Sequence, residues 1–191
     1  MTTPSLLSSL CRSNHGILRQ KLGLMEALVS VHGAEKAKGV FQNTCPIVQA
    51  SLGQHVRHSM DHLERAAFYK AEIHYDLRER GGPDEHDMDA ACQRIHKVQE
   101  RLDQLAGMQG DDSISHTAVD ACFMLSGETG HEFKLPSTVA RELGFAAHHA
   151  IHHMALVRII AVQSGGLTTD DLPVDFGRAP STVNYDHQTQ Q

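Results

Sequence analysis

At 191 residues the chain is long enough for one domain of ordinary size with a proper core, and a second independent domain is not expected. A formal net charge of -6 and a pI near 6.2 provide no general basic surface, which argues against nucleic acid and anionic membrane as partners. Apolar residues make up 40% but aromatics only 5%, with no Trp, a balance that suits Leu/Ala/Val-rich helices better than an aromatic-rich β-sandwich.

The first predicted element is a helix over residues 4–32, on which Leu7, Leu10, Ile17, Leu18, Leu22, Leu24, Leu28 and Val31 recur at three- and four-residue steps before Gly33. A small, polar linker follows. Pro46 then opens a second helix over residues 46–77, with Val48, Leu52, Val56, Leu63, Ala66 and Ile73 on one face, and Gly81-Gly82-Pro83 ends it. Asp84 or Asp87 caps a third, which carries Ala90, Ala91, Ile95, Val98, Leu102 and Leu105 and stops at Gly107 or Gly110.

From residue 111 to residue 136 the periodicity changes, and Ser126-Gly127-Glu128-Thr129-Gly130 reads as the turn of a small hairpin. Ser137 or Thr138 caps the last helix, which runs to Gln163 or Ser164. The expected fold is therefore all-α: a four-helix bundle over residues 1–165, with a hairpin-like insertion before the last helix. An extended tail over residues 166–191 has Phe176 packed on the bundle and a disordered end that frays after Tyr185. Asp175-Phe176-Gly177 is not a kinase loop, because the chain is too short for that fold and lacks a glycine-rich loop.

The cysteines Cys11, Cys45, Cys92 and Cys122 are far apart with no C-x-x-C pair, so neither a thiolate zinc ribbon nor a disulfide framework is indicated. The start of the chain has too short and too polar an apolar run for a signal peptide, and no run approaches the roughly 18 residues of a membrane span. A soluble, cytoplasmic protein with no membrane partner is expected.

The last helix carries Ala147-His148-His149-Ala150-Ile151-His152-His153-Met154. At roughly 100° per residue, Val139, Leu143, Ala146, Ala150, Val157 and Ile160 define one apolar arc. His149, His153 and Glu142 fall inside it, whereas His148 lies outside and His152 at the edge. On the second helix, His55, His58 and His62 span only about 60° and project from one side. A single histidine on an apolar face is ordinarily a hydrogen-bonded core residue. Three of them opposite an H-x-x-x-H pair point instead to a divalent metal such as zinc, nickel or iron, with one position left for water or substrate. The remaining histidines, His74 among them, are scattered and read as surface residues, and the Tyr75-Asp76-Leu77-Arg78-Glu79-Arg80 stretch reads as a solvated helix end held by ion pairs.

Ser51-Leu52-Gly53-Gln54-His55-Val56-Arg57-His58-Ser59-Met60-Asp61-His62, the Tyr75 to Arg80 stretch, Arg141-Glu142-Leu143 and His149-Ala150-Ile151-His152-His153 together resemble the DinB/YfiT-like superfamily of metal-binding four-helix bundles. The resemblance covers roughly residues 10–162. It implies that His58, three residues ahead of Asp61, joins His149 and His153 as metal ligands. The wheel alone does not prefer His58 over His55 or His62.

Members of that superfamily include S-transferases that use glutathione or bacillithiol, mycothiol-dependent isomerases, and the amino-terminal part of iron-dependent sulfoxide synthases. They often pair as homodimers. The resemblance thus implies a metal-dependent transferase joining a low-molecular-weight thiol to a small electrophile, with Glu142 or His152 relaying a proton and Asp61, His55 and His62 supporting the ligands. The alternative is a non-enzymatic metal-binding or stress-response protein with a structural or stored ion.

Overall fold

The computed structural model describes residues 4–77, 81–108, 113–128 and 130–189. Helix α1 spans Leu6–His32, with the Ser5 hydroxyl accepting from the Ser8 N–H at its start. A second helix, α2 (Ala34–Gln42), follows directly where a linker was expected. Its Ala37 and Phe41 are four apart and fully buried, which gives even this short segment an inward face.

Pro46 does not open the next helix. Residues 45–50 instead form a tight turn closed by a bridge between Cys45 and Ala50, with Gln49 at a φ of 58°. Helix α3 is Leu52–Ala67 and begins with a reciprocal cap, in which the Ser51 hydroxyl accepts from the Gln54 N–H and the Gln54 side chain accepts from the Ser51 N–H.

α3 ends at Ala67 rather than at Leu77. Beyond it the apolar period becomes alternating: Ile73 and Tyr75 are buried while Glu72 and His74 are not, and strand β1 is Glu72–His74. The ion-paired helix end expected over residues 75–80 is thus corrected as far as Leu77, and its Arg78-Glu79-Arg80 portion lies outside the described residues. A single turn, α4 (Pro83–His86), leads into α5 (Met88–Gly107), whose cap is Asp87. The alternative stop at Gly110 also lies outside the described residues.

Strands β2 (Ala118–Met124) and β3 (Glu132–Thr138) are antiparallel and form the hairpin expected before the last helix; Thr129 of its turn lies outside the described residues. The all-α expectation needs correcting, because β1 adds to β2 in parallel and gives a three-stranded sheet of order β1-β2-β3. The fold is mainly helical with one small sheet. Helix α6 (Val139–Gln163) is capped by the Thr138 hydroxyl, which accepts from the Arg141 N–H.

α6 packs along α3, and α1 packs on both α5 and α6, with α3 also against α5. By length and composition α6 is apolar enough to cross a membrane, yet in this fold one face of it packs into the core, with Glu142 wholly buried. The tail is only partly extended. Phe176 is 2% exposed. Gly177, at a φ of 68°, lies so close to α6 that a Cβ there would come within 2.6 Å of the Met154 carbonyl oxygen. Helix α7 (Pro180–Thr189) then closes the described chain with no buried residue, which explains why no period announced it. The fraying expected after Tyr185 is not seen as far as Thr189, where α7 ends, and residues 190–191 lie outside the described residues.

Candidate metal centre

The packing of α3 on α6 turns two sets of histidines toward each other. His149 Nε2 lies 3.2 Å from His58 Nε2 and 3.1 Å from His153 Nε2. One nitrogen from each of the three rings lies within 4.8 Å of the others. A ring nitrogen carries either one N–H or one lone pair, so His149 Nε2 satisfies only one of its two nitrogen neighbours by hydrogen bonding. Converging imidazole nitrogens of this kind suit a shared cation.

The protonation state agrees with that donor set. His153 is 8% exposed, and burial first, then the neighbouring His58, His149, His55 and His152, push its pKa down to about 2. His55 is also lowered, by burial, His152 and Lys21. Rings held neutral keep a lone pair available to a metal.

The surrounding side chains are differently engaged. His55 Nδ1 lies 2.9 Å from His153 Nδ1, the nitrogen opposite the one that faces His149, so His55 grips His153 from behind. The His62 ring sits 3.9 Å from the His149 ring and stacks on Tyr75 at 4.8 Å and 13°. Tyr75 donates to Glu142 Oε2 at 2.8 Å, and Ser137 Oγ (2.5 Å) and Arg141 Nη1 (2.7 Å) donate to Oε1. Glu142 is therefore connected to the histidines through Tyr75 and His62. Burial and Glu142 together hold the Tyr75 hydroxyl well above the ordinary phenol range.

Tyr75 is the residue that sequence reasoning missed. It belongs to the alternation of Ile73 and Tyr75, hidden inside what read as a helix end. Asp61 accepts from Arg57 Nη1 at 2.7 Å and from Arg94 Nη2 at 2.8 Å. Arg94 also bonds Asp84 and Glu64, Arg57 pairs with Glu85 and Lys97 with Glu64, so Asp61 sits in an extended network of charged groups. That network lines a cleft of about 650 Å³, which includes Glu72 and His74 but none of the three converging histidines. The chemistry of the imidazoles, not cleft size, marks the centre. His148 is exposed, as the wheel indicated; His152, which the wheel put at the edge of the arc, is exposed too, and its ring lies 5.3 Å from that of His153.

No family model matches the chain. Among curated proteins it is similar to FK506-binding protein 5 of Rhizopus delemar, with 31% identity over 113 residues, 59% of this chain and 27% of that protein. The chain thus spans about a quarter of the length of that relative, too small a share to carry that protein's activity over.

Proposed function

We propose that the chain is a metal-binding four-helix bundle of the DinB/YfiT-like kind, with α1, α3, α5 and α6 as its helices and His58, His149 and His153 as ligands of zinc, nickel or iron. The observation that carries this reading is the convergence of three ring nitrogens, contributed by two helices, within 4.8 Å of one another. The fit is chemical as well as spatial, since His153, one of the three converging rings, is held as a neutral imidazole.

The activity we propose is the transfer of a low-molecular-weight thiol, such as glutathione or bacillithiol, onto a small electrophile. A bound divalent ion supplies the positive charge that lowers the pKa of such a thiol. The chain supplies the rest. His55 fixes the orientation of His153 from its far nitrogen, which leaves the near one for the ligand role. His62, wedged between Tyr75 and His149, fixes the other ring of the pair. Exposed His152 moves a proton between the site and solvent. Glu142, already holding three donors, positions Tyr75 rather than exchanging protons freely. The same reading carries a soluble, cytoplasmic protein acting on a small molecule without nucleic acid, alone or as a homodimer.

Elemental analysis of the purified chain and of His153→Ala tests the site: the variant loses one equivalent of metal, and an unchanged metal content overturns the assignment. Titrating the cobalt-substituted protein with glutathione tests the activity. A shifted visible spectrum, together with consumption of the thiol by an electrophile panel, supports the transferase. A bound ion whose spectrum ignores thiols supports the alternative, a structural or stored ion.

A further inference from the structure

A second set of ligating side chains lies on the sheet, independent of the helical histidines. β1 and β2 run parallel with His74 registered against Cys122 and Glu72 against Asp120. Alternation therefore places Glu72, His74 and Cys122 on one face, while Ile73, Tyr75 and Ala121 face the core. One ligand atom from each of Glu72, His74 and Cys122 lies within 4.8 Å of the others.

The hydrogen bonding of His74 specifies what is missing. Its Nδ1 lies 2.5 Å from Glu132 Oε2 on β3, and a carboxylate only accepts, so the Nδ1 proton is committed there. In the neutral ring Nε2 is then a bare lone pair, yet it faces Glu72 Oε2 at 3.4 Å. Two acceptors opposed in this way need a cation between them or a second proton on the ring. Two further observations favour the cation. The Cys122 side chain, 2% exposed, supplies a third donor at the same point. Glu132 Oε1 is buried with no hydrogen-bond partner among the described residues, while its Oε2 holds His74 in the manner of a carboxylate behind a metal-binding histidine.

We propose that Glu72, His74 and Cys122 form a second metal site for a thiophilic divalent cation such as zinc, with Glu132 as the positioning residue for His74. One sulfur, one imidazole nitrogen and one carboxylate oxygen is a donor set that suits zinc and disfavours calcium or magnesium. Lys134 holds Glu72 by its other oxygen, Oε1, at 2.5 Å and so turns Oε2 toward the site. Glu72 and His74 also line the 650 Å³ cleft, which is the way in for the ion. Uptake releases the Cys122 thiol proton to solvent as the sulfur becomes a ligand. The ion ties the short strand β1 to β2, and so anchors the segment that presents Tyr75 to His62.

Cobalt titration of the full chain tests the proposal, because a thiolate ligand produces a near-ultraviolet charge-transfer band that an all-histidine site lacks. The band is expected in the wild type and in His149→Ala/His153→Ala, is abolished by Cys122→Ser, and appears with cobalt affinity weakened about 10- to 100-fold in Glu132→Gln. A wild type without the band, or a band that survives Cys122→Ser, overturns the site. Since Cys122 is buried, His74→Gln gives the same readout should Cys122→Ser fail to fold: an affinity lowered about tenfold or more supports the site, and an unchanged one overturns it.

Discussion

Two buried polar side chains, Tyr75 and Lys21, show how much of the interior depends on single atoms. The Tyr75 hydroxyl is one of three donors to the wholly buried Glu142 carboxylate. Tyr75→Phe keeps the ring against His62 but removes that donor, at an expected cost of about 1–3 kcal/mol in urea unfolding. A change within about 0.5 kcal/mol, the range of surface substitutions, would show that Ser137 and Arg141 satisfy Glu142 unaided. Lys21 is fully buried and donates to the Ser59 hydroxyl, and burial, followed by Arg94, pushes its pKa down to about 7 from 10.5. Between those values the unfolded chain binds a proton that the folded chain does not, so stability rises with pH across this window and is flat below it on this group's account. Lys21→Met removes the titrating group at similar size. Urea midpoints at about pH 7 and about pH 10 should rise in the wild type and stay level in the variant.

Among the elements, α3 is held most tightly, and its start makes a sharp prediction. A Cβ on Gly53 would fall 2.1 Å from the Glu85 carbonyl oxygen and 2.8 Å from a Phe41 ring carbon, so α2 and α4 close on α3 at a point where only hydrogen fits. Gly53→Ala is expected to cost about 1–3 kcal/mol or more by overpacking, against about 1 kcal/mol for Ser51→Ala, which merely removes the cap. The long helices α1, α5 and α6 were legible because period and caps agree, and the inward His149 and His153 followed from the same wheel. β1 was not legible. Ala66 and Ile73, seven apart, fit a helical face as well as they fit the end of one helix and the middle of a strand. The nine-residue α2 is too short for periodicity to outweigh its polar composition. His74 read as surface because its partner Cys122 reaches it only through a strand pairing that no local pattern encodes.

For the whole molecule, the proposed metal centre would make stability depend jointly on acid and metal. His153 has a folded pKa near 2 against 6.5 unfolded. Its contribution is therefore complete above about pH 6.5 and is lost as the pH falls toward 2, because only the unfolded chain takes up the proton in that window. Metal binding opposes the loss, since an ion that prefers the folded chain stabilises it by about 2.7 kcal/mol at a hundred times its dissociation constant. Because the folded His153 ring stays neutral down to about pH 2, protons do not displace a metal from it at about pH 5, so in Cys122→Ser the rise in melting temperature produced by zinc at about pH 7.5 should persist at about pH 5. In His149→Ala/His153→Ala the acid sensitivity assigned to His153 disappears with the ring, and the zinc-dependent rise falls to what the strand site contributes. Adding Cys122→Ser to that variant should leave a melting temperature that zinc no longer raises. A persistent rise would mean that the stabilising ion binds at neither cluster.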